Sequence, residues 1–146
     1  MEEKEYEVEP LDRPLPATAL VATATPTFWD LEPAQLVDVV VRSVERVLVR
    51  LAASIRDVVR GELDVWRGWA AGRVPDVRLG LSAHVVREAL GRGGRHDLPA
   101  ACVAVATQTV ETLARLGGAE TETRRRTLLW SARMSAERAA WLGGRR

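Results

Sequence analysis

The stretch that decides the fold is PAQLVDVVVRSVERVLVRLAASIRDVVR, residues 33–60. Apolar residues recur in it at alternating spacings of four and three, at Val37, Val41, Val44, Leu48, Leu51, Ile55 and Val58. At about 100° per residue these fall within about 100° of one another, which is the stripe of an amphipathic helix. Asp38, Arg42, Glu45, Arg46, Arg50, Arg56, Asp57 and Arg60 fall on the opposite side, with Val39 and Val49 among them. Asp30, Glu32 and Pro33 supply a helix-start signal, acids before the first turn and proline at its beginning. The spacing predicts one helix from about 33 to 60. Gly61 and Gly68, each costing about 1 kcal/mol relative to alanine, predict a bend near 61 and a continuation toward 73.

Such a stripe has two uses. It packs into a bundle of its own chain, or it forms a seam with another helix over about three heptads. Trp66 and Trp69, three apart on the continuation, serve as core plugs or as interface anchors. The stripe residues and these two tryptophans are the candidate interaction residues.

Downstream, Ser82 predicts the cap of a short helix over 83–91, carrying Val85, Val86, Ala89 and Leu90. GRGGRHD, residues 91–97, reads as a loop of glycines and charges. Asp97 caps a helix over 98–116 with Pro99 in its first turn. Its apolar side holds Leu98, Cys102, Val105, Ala106, Leu113 and Leu116, and Gly117-Gly118 stops it. The last helix runs from about 120 to 142. Trp130, Met134 and Trp141 fall within about 40° of one another, and Leu128, Ala132, Ala139 and Leu142 form a second strip across the cylinder. A helix apolar on two sides is expected to be sandwiched between neighbours, which argues against a membrane-surface helix.

The ends differ. Residues 1–33 hold five of the seven prolines, so this segment is not a helix. It reads as an extended or flexible acidic arm, residues 1–32, ahead of a helical domain, residues 33–146. Ala17–Thr27, ATALVATATPT, alternates in a strand-like way and suits a latch on a neighbour. Residues 1–30 carry a net charge of −5 and residues 119–146 a net +4, within a chain of +1.

Length and composition bound the rest. The chain has 146 residues, 47% hydrophobic and 28% charged, which allows one domain with its own core and excludes collagen-like, fully disordered and disulfide-scaffold chains. The single cysteine, Cys102, excludes an internal disulfide and a multi-thiolate zinc site. No run approaches the ~18–20 apolar residues that span a bilayer, and the acidic start is unlike a secretory signal. These features point to a cytoplasmic protein with no membrane partner.

Chemistry-bearing residues are sparse. His84 and His96 are the only histidines, and neither stands at a metal-ligand spacing. Cys102 lies on an apolar helix side, where cysteine acts as a small hydrophobe. No P-loop, G-x-S-x-G or G-x-G-x-x-G occurs, and Gly91–Gly94 is weak as a phosphate loop. The expectation is therefore no catalytic residue, no metal and no cofactor.

The fold expected is all-α, a three- to four-helix bundle behind an extended acidic, proline-rich arm. The function expected is a non-enzymatic interaction or assembly protein, a small structural or accessory subunit that forms a homo-oligomer or joins a larger complex. The alternative is a nucleic-acid-binding accessory or regulator, with Arg124, Arg125, Arg126, Arg145 and Arg146 as anion contacts.

Overall fold

Helix α1, Pro33–Val47, begins where the sequence signals it: Pro33 is its first residue, and the Glu32 amide donates to Gln35 Oε1 at 2.7 Å. The computed structural model describes residues 28–94 and 97–144. Among them are five α-helices and no strand. After α1 come α2 (Ala53–Ala70), α3 (Asp76–Gly93), α4 (Leu98–Ala114) and α5 (Glu122–Gly143). The all-α class holds, with five helices rather than three or four. Most of the expected arm, residues 1–27, lies outside the described residues. Its last residues are ordered: Phe28–Asp30 form a 3₁₀ turn against α5, and Leu31 is buried.

The single helix expected over 33–60 is two. Leu48–Arg50 form a 3₁₀ turn, and Leu51 and Ala52 are extended, with ψ of 154° and 145°. A straight helix from 33 to 70 would measure about 57 Å at 1.5 Å per residue. Folding it at 48–52 packs α2 back onto α1 and puts both apolar faces into one core. The extended pair resets the helical phase. Ile55, Val59, Leu63 and Trp66 are therefore the buried face of α2, and Val58 is only half-buried.

The bend expected at Gly61 is absent. Helix α2 runs through Gly61 and ends one turn after Gly68. Gly72, at φ +80°, donates to the Trp69 carbonyl at 3.0 Å, and Arg73 donates to that of Gly68 at 2.8 Å, a Schellman closure. Gly68 also permits a close approach, since a Cβ there would lie 2.7 Å from Val74 Cγ2.

Helix α3 starts seven residues before the expected 83, at Asp76, with Pro75 as its N-cap. Ser82 is no cap; it sits mid-helix and accepts a 2.9 Å hydrogen bond from the buried Trp66 indole. Helices α4 and α5 start as their caps dictate. Asp97 Oδ1 accepts from the Ala100 amide at 3.2 Å, and Thr121 Oγ1 from the Arg124 amide at 3.0 Å.

Helices α1 and α4 form the central pair. Helix α1 packs on α2, α4 and α5, and α4 packs on α1, α3 and α5. The closest approach is a junction of small residues from three helices. A Cβ on Gly143 would lie 2.8 Å from the Ser43 carbonyl oxygen and 3.0 Å from its Cα. Beside it the Cys102 thiol donates toward the Ala139 carbonyl at 3.5 Å and the Ser43 carbonyl at 3.7 Å. Further along, Thr109 and Ser135 share a buried 2.6 Å hydrogen bond between α4 and α5.

A methyl group at this junction has backbone rather than a yielding side chain in its way. Gly143→Ala is expected to cost about 1–3 kcal/mol, the usual range for overpacking. The shift of the urea midpoint in equilibrium unfolding reads it.

Candidate interaction surface

Helix α5 carries its small residues inward and its large ones outward. Leu128, Ala132, Ser135, Ala136, Ala139, Leu142 and Gly143 are buried against α1 and α4. Half a turn round the cylinder, Trp130 is 53% exposed, Met134 42% and Trp141 61%. The sandwich expected for this helix is thus half present: one strip faces the core and the other faces solvent. Trp130, Met134 and Trp141 line an open groove of about 530 Å³, with Val105 and Gln108 of α4 as its other wall.

Helix α3 presents a second apolar row. Val77, Leu81 and Val85, four residues apart, are between 39% and 71% exposed. Val77 and Leu81 border a shallow recess of about 910 Å³, closed by Ala114, Arg115 and Gly117. The repeat of four was present in the sequence, but a helix started at 83 excludes two of its three residues. Between the two rows runs α4, and Arg87 of α3 holds Glu111 of α4 by two hydrogen bonds of 2.8 and 2.5 Å. Hydrogen bonding to Glu111 is the main reason the Arg87 pKa is raised above its ordinary value.

The predicted interaction residues lie elsewhere. Val37, Val41, Val44, Leu48, Leu51 and Ile55 are buried in the chain's own core, and Val58 is half-buried. The stripe is satisfied within one chain, so its burial requires no second helix. Trp66 is a core plug, and Trp69 is half-buried with its indole donating to Asp76 Oδ1 at 2.7 Å.

The arginines diverge. Arg124, Arg125 and Arg126 are consecutive in the first turn of α5, so each points about 100° from the next. Arg125 donates to the Leu116 carbonyl at 3.5 Å and Arg126 pairs with Glu122 at 3.3 Å. Arg145, Arg146 and His96 lie outside the described residues. Gly91–Gly93 form the last turn of α3 rather than a loop, and Gly94, at φ +63°, ends it.

His84 is exposed and lies 3.2 Å from Glu88 on its own helix. Among the described residues no three of His, Cys, Asp and Glu are placed to hold a metal ion. No helix among them is long and apolar enough to cross a membrane. No protein-family model, curated protein or solved structure matches the chain.

Burial pushes the Cys102 thiol up from 9.0 to about 11, against the smaller opposing pull of Arg50 and Arg46. A thiol so placed stays protonated and shielded. It is expected to react with a disulfide reagent at pH 8 only as fast as the protein unfolds. The raised value also sets a sign for stability. Below pH 9 the contribution is fully present; between about 9 and 11 the unfolded chain ionises first, and stability falls. Unfolding free energies of wild type and Cys102→Ala, compared at pH 8 and 10.5, isolate that loss from other titrations.

Proposed function

We propose that this is a non-enzymatic helical subunit that assembles with itself or with a larger protein through the outward apolar faces of α3 and α5. The observation that carries the reading is the placement of Trp130, Met134 and Trp141 beside an open groove on an ordered helix. Scattered surface leucines need no explanation, but clustered large apolar side chains mark interaction surfaces. Tryptophan and methionine are also enriched at such contacts. The α3 row adds a second face, and the 37–58 stripe supplies the core that holds both in place.

The nucleic-acid reading keeps one observation. Arg115 and Arg124 line the same open recess of about 570 Å³ at the corner between α4 and α5. Glu120 lines it too. Phosphate binding favours a row of cations with a common direction, and here the neighbouring arginines fan apart.

Light scattering behind size-exclusion chromatography tests both. The protein is expected to elute as a salt-stable multiple of 16.1 kDa, free of excess 260 nm absorbance. Val77→Ser with Leu81→Ser, both at exposed positions, is expected to return it to 16.1 kDa with unchanged helical content. A wild type of 16.1 kDa at high concentration would withdraw self-assembly. A peak carrying 260 nm absorbance that salt removes would favour the arginine corner.

A further inference from the structure

The N-terminal end of the described chain joins the bundle on α5. The turn Phe28–Asp30 packs on that helix, and Arg133 donates two hydrogen bonds, of 3.0 and 3.2 Å, to the Leu31 carbonyl. Arg133 stands about 60° round the helix from Trp130, so residue 27 begins at the edge of the Trp130–Met134–Trp141 strip. Trp29, in the same turn, is itself exposed.

Charge separates along the same line. The chain's net +1 divides into −4 for residues 1–27 and +5 for residues 28–146. The acids of the first part are Glu2, Glu3, Glu5, Glu7, Glu9 and Asp12, against Lys4 and Arg13. On the outer side of α5, Arg126, Arg133 and Arg138 flank the strip within about 80° of Trp130, and Glu137 is its one carboxylate. Between the acids and the bundle stands ATALVATATPT, residues 17–27, small and apolar with Leu20 and Val21 at its centre. Twenty-seven residues reach up to about 90 Å when extended, while α5 is about 33 Å long. The chain outside the described residues is therefore long enough to run the whole strip from where it starts.

We propose that residues 1–27 fold back over the outer side of α5 of their own chain as an extended strap. The Leu20–Val21 region lies on Trp130, Met134 and Trp141, and the acidic residues 2–12 lie among Arg126, Arg133 and Arg138. The α5 helix of a second copy fits poorly there, because residues 122–146 would set seven more arginines, offset by two acids, against the first set. A tethered segment also acts at millimolar effective concentration, ahead of the same segment on another molecule. The strap goes beyond the assembly reading: it names what covers α5 in the isolated chain and leaves the α3 row open.

The test uses the full chain, labelled with ¹⁵N and carrying a nitroxide on Thr18→Cys. Cys102 is buried and does not compete for the label. The indole signals of Trp130 and Trp141 are expected to broaden about threefold more than that of half-buried Trp69 on α2, as a strap at millimolar effective concentration requires. Replacing Glu2, Glu3, Glu5, Glu7 and Glu9 by glutamine is expected to remove most of the excess. Equal broadening of the three indoles overturns the strap. So does an excess that appears only when the nitroxide sits on a separate, unlabelled copy, which would make the contact an exchange between molecules. Neither result bears on the mass change of the α3 variant, so the two readings fail separately.

Discussion

The packing of α1, α4 and α5 at Ser43, Cys102, Ala139 and Gly143 is the constraint from which the other placements follow. Backbones can approach this closely only where side chains are nearly absent, and Gly143 over Ser43 leaves no room for a Cβ. The contact continues along α5 through Ala136 and Ala132, both fully buried. Close packing of this kind gains dispersion contacts from backbone atoms instead of long side chains. It also fixes the rotation of α5 about its axis, because turning the helix would drive Trp130 or Met134 into a space built for alanine. The outward direction of the large residues is thus set by the small residues opposite them.

The same logic explains how the polar groups of the interior are satisfied. Thr109 and Ser135 pair with each other and also bond the carbonyls of Val105 and Ala132. The Cys102 thiol lies against two carbonyls, and Trp66 finds Ser82 across the α2–α3 contact. Each bond joins two helices or tucks a hydroxyl against its own turn, so helices with few bulky core residues still have a defined register. Such bonds contribute about 1 kcal/mol each, and much more when one partner is removed and the other is left buried.

Local signals were legible where one residue type has one use. Pro33 after Glu32, Asp97 before Pro99 and the glycines after α4 mark ends that the structure keeps to within a few residues. Signals with two uses were not. Ser82 suits a cap and also a mid-helix acceptor, and the partner that decides, Trp66, is sixteen residues away. The break at 48–52 holds no glycine or proline, and Leu48 and Leu51 continue the stripe in sequence. It arises because folding α2 back buries more apolar surface than a straight helix does, a property of the whole chain. The Trp130 strip was visible as a face of α5, but its direction depends on how many helices surround α5. One helix read alone does not contain that number.

Between the two apolar faces lies α4, whose outer residues Ala101, Ala104, Val105 and Gln108 are short or thin compared with the tryptophans beside them. Helices pack about 8–10 Å apart, so α3 and α5 stand roughly 16–20 Å from each other across α4. That would form one trough wide enough for a whole helix, were it not for the Arg87–Glu111 pair. This pair bridges α3 to α4 in the middle of the floor, at about half exposure, and places charge where an apolar ligand would have to lie. Burying the pair under such a ligand would cost more than its mutual attraction returns. The surface is therefore divided into the recess beside Val77 and Leu81 and the groove beside Trp130 and Met134. Each takes its own occupant, and covering one does not close the other.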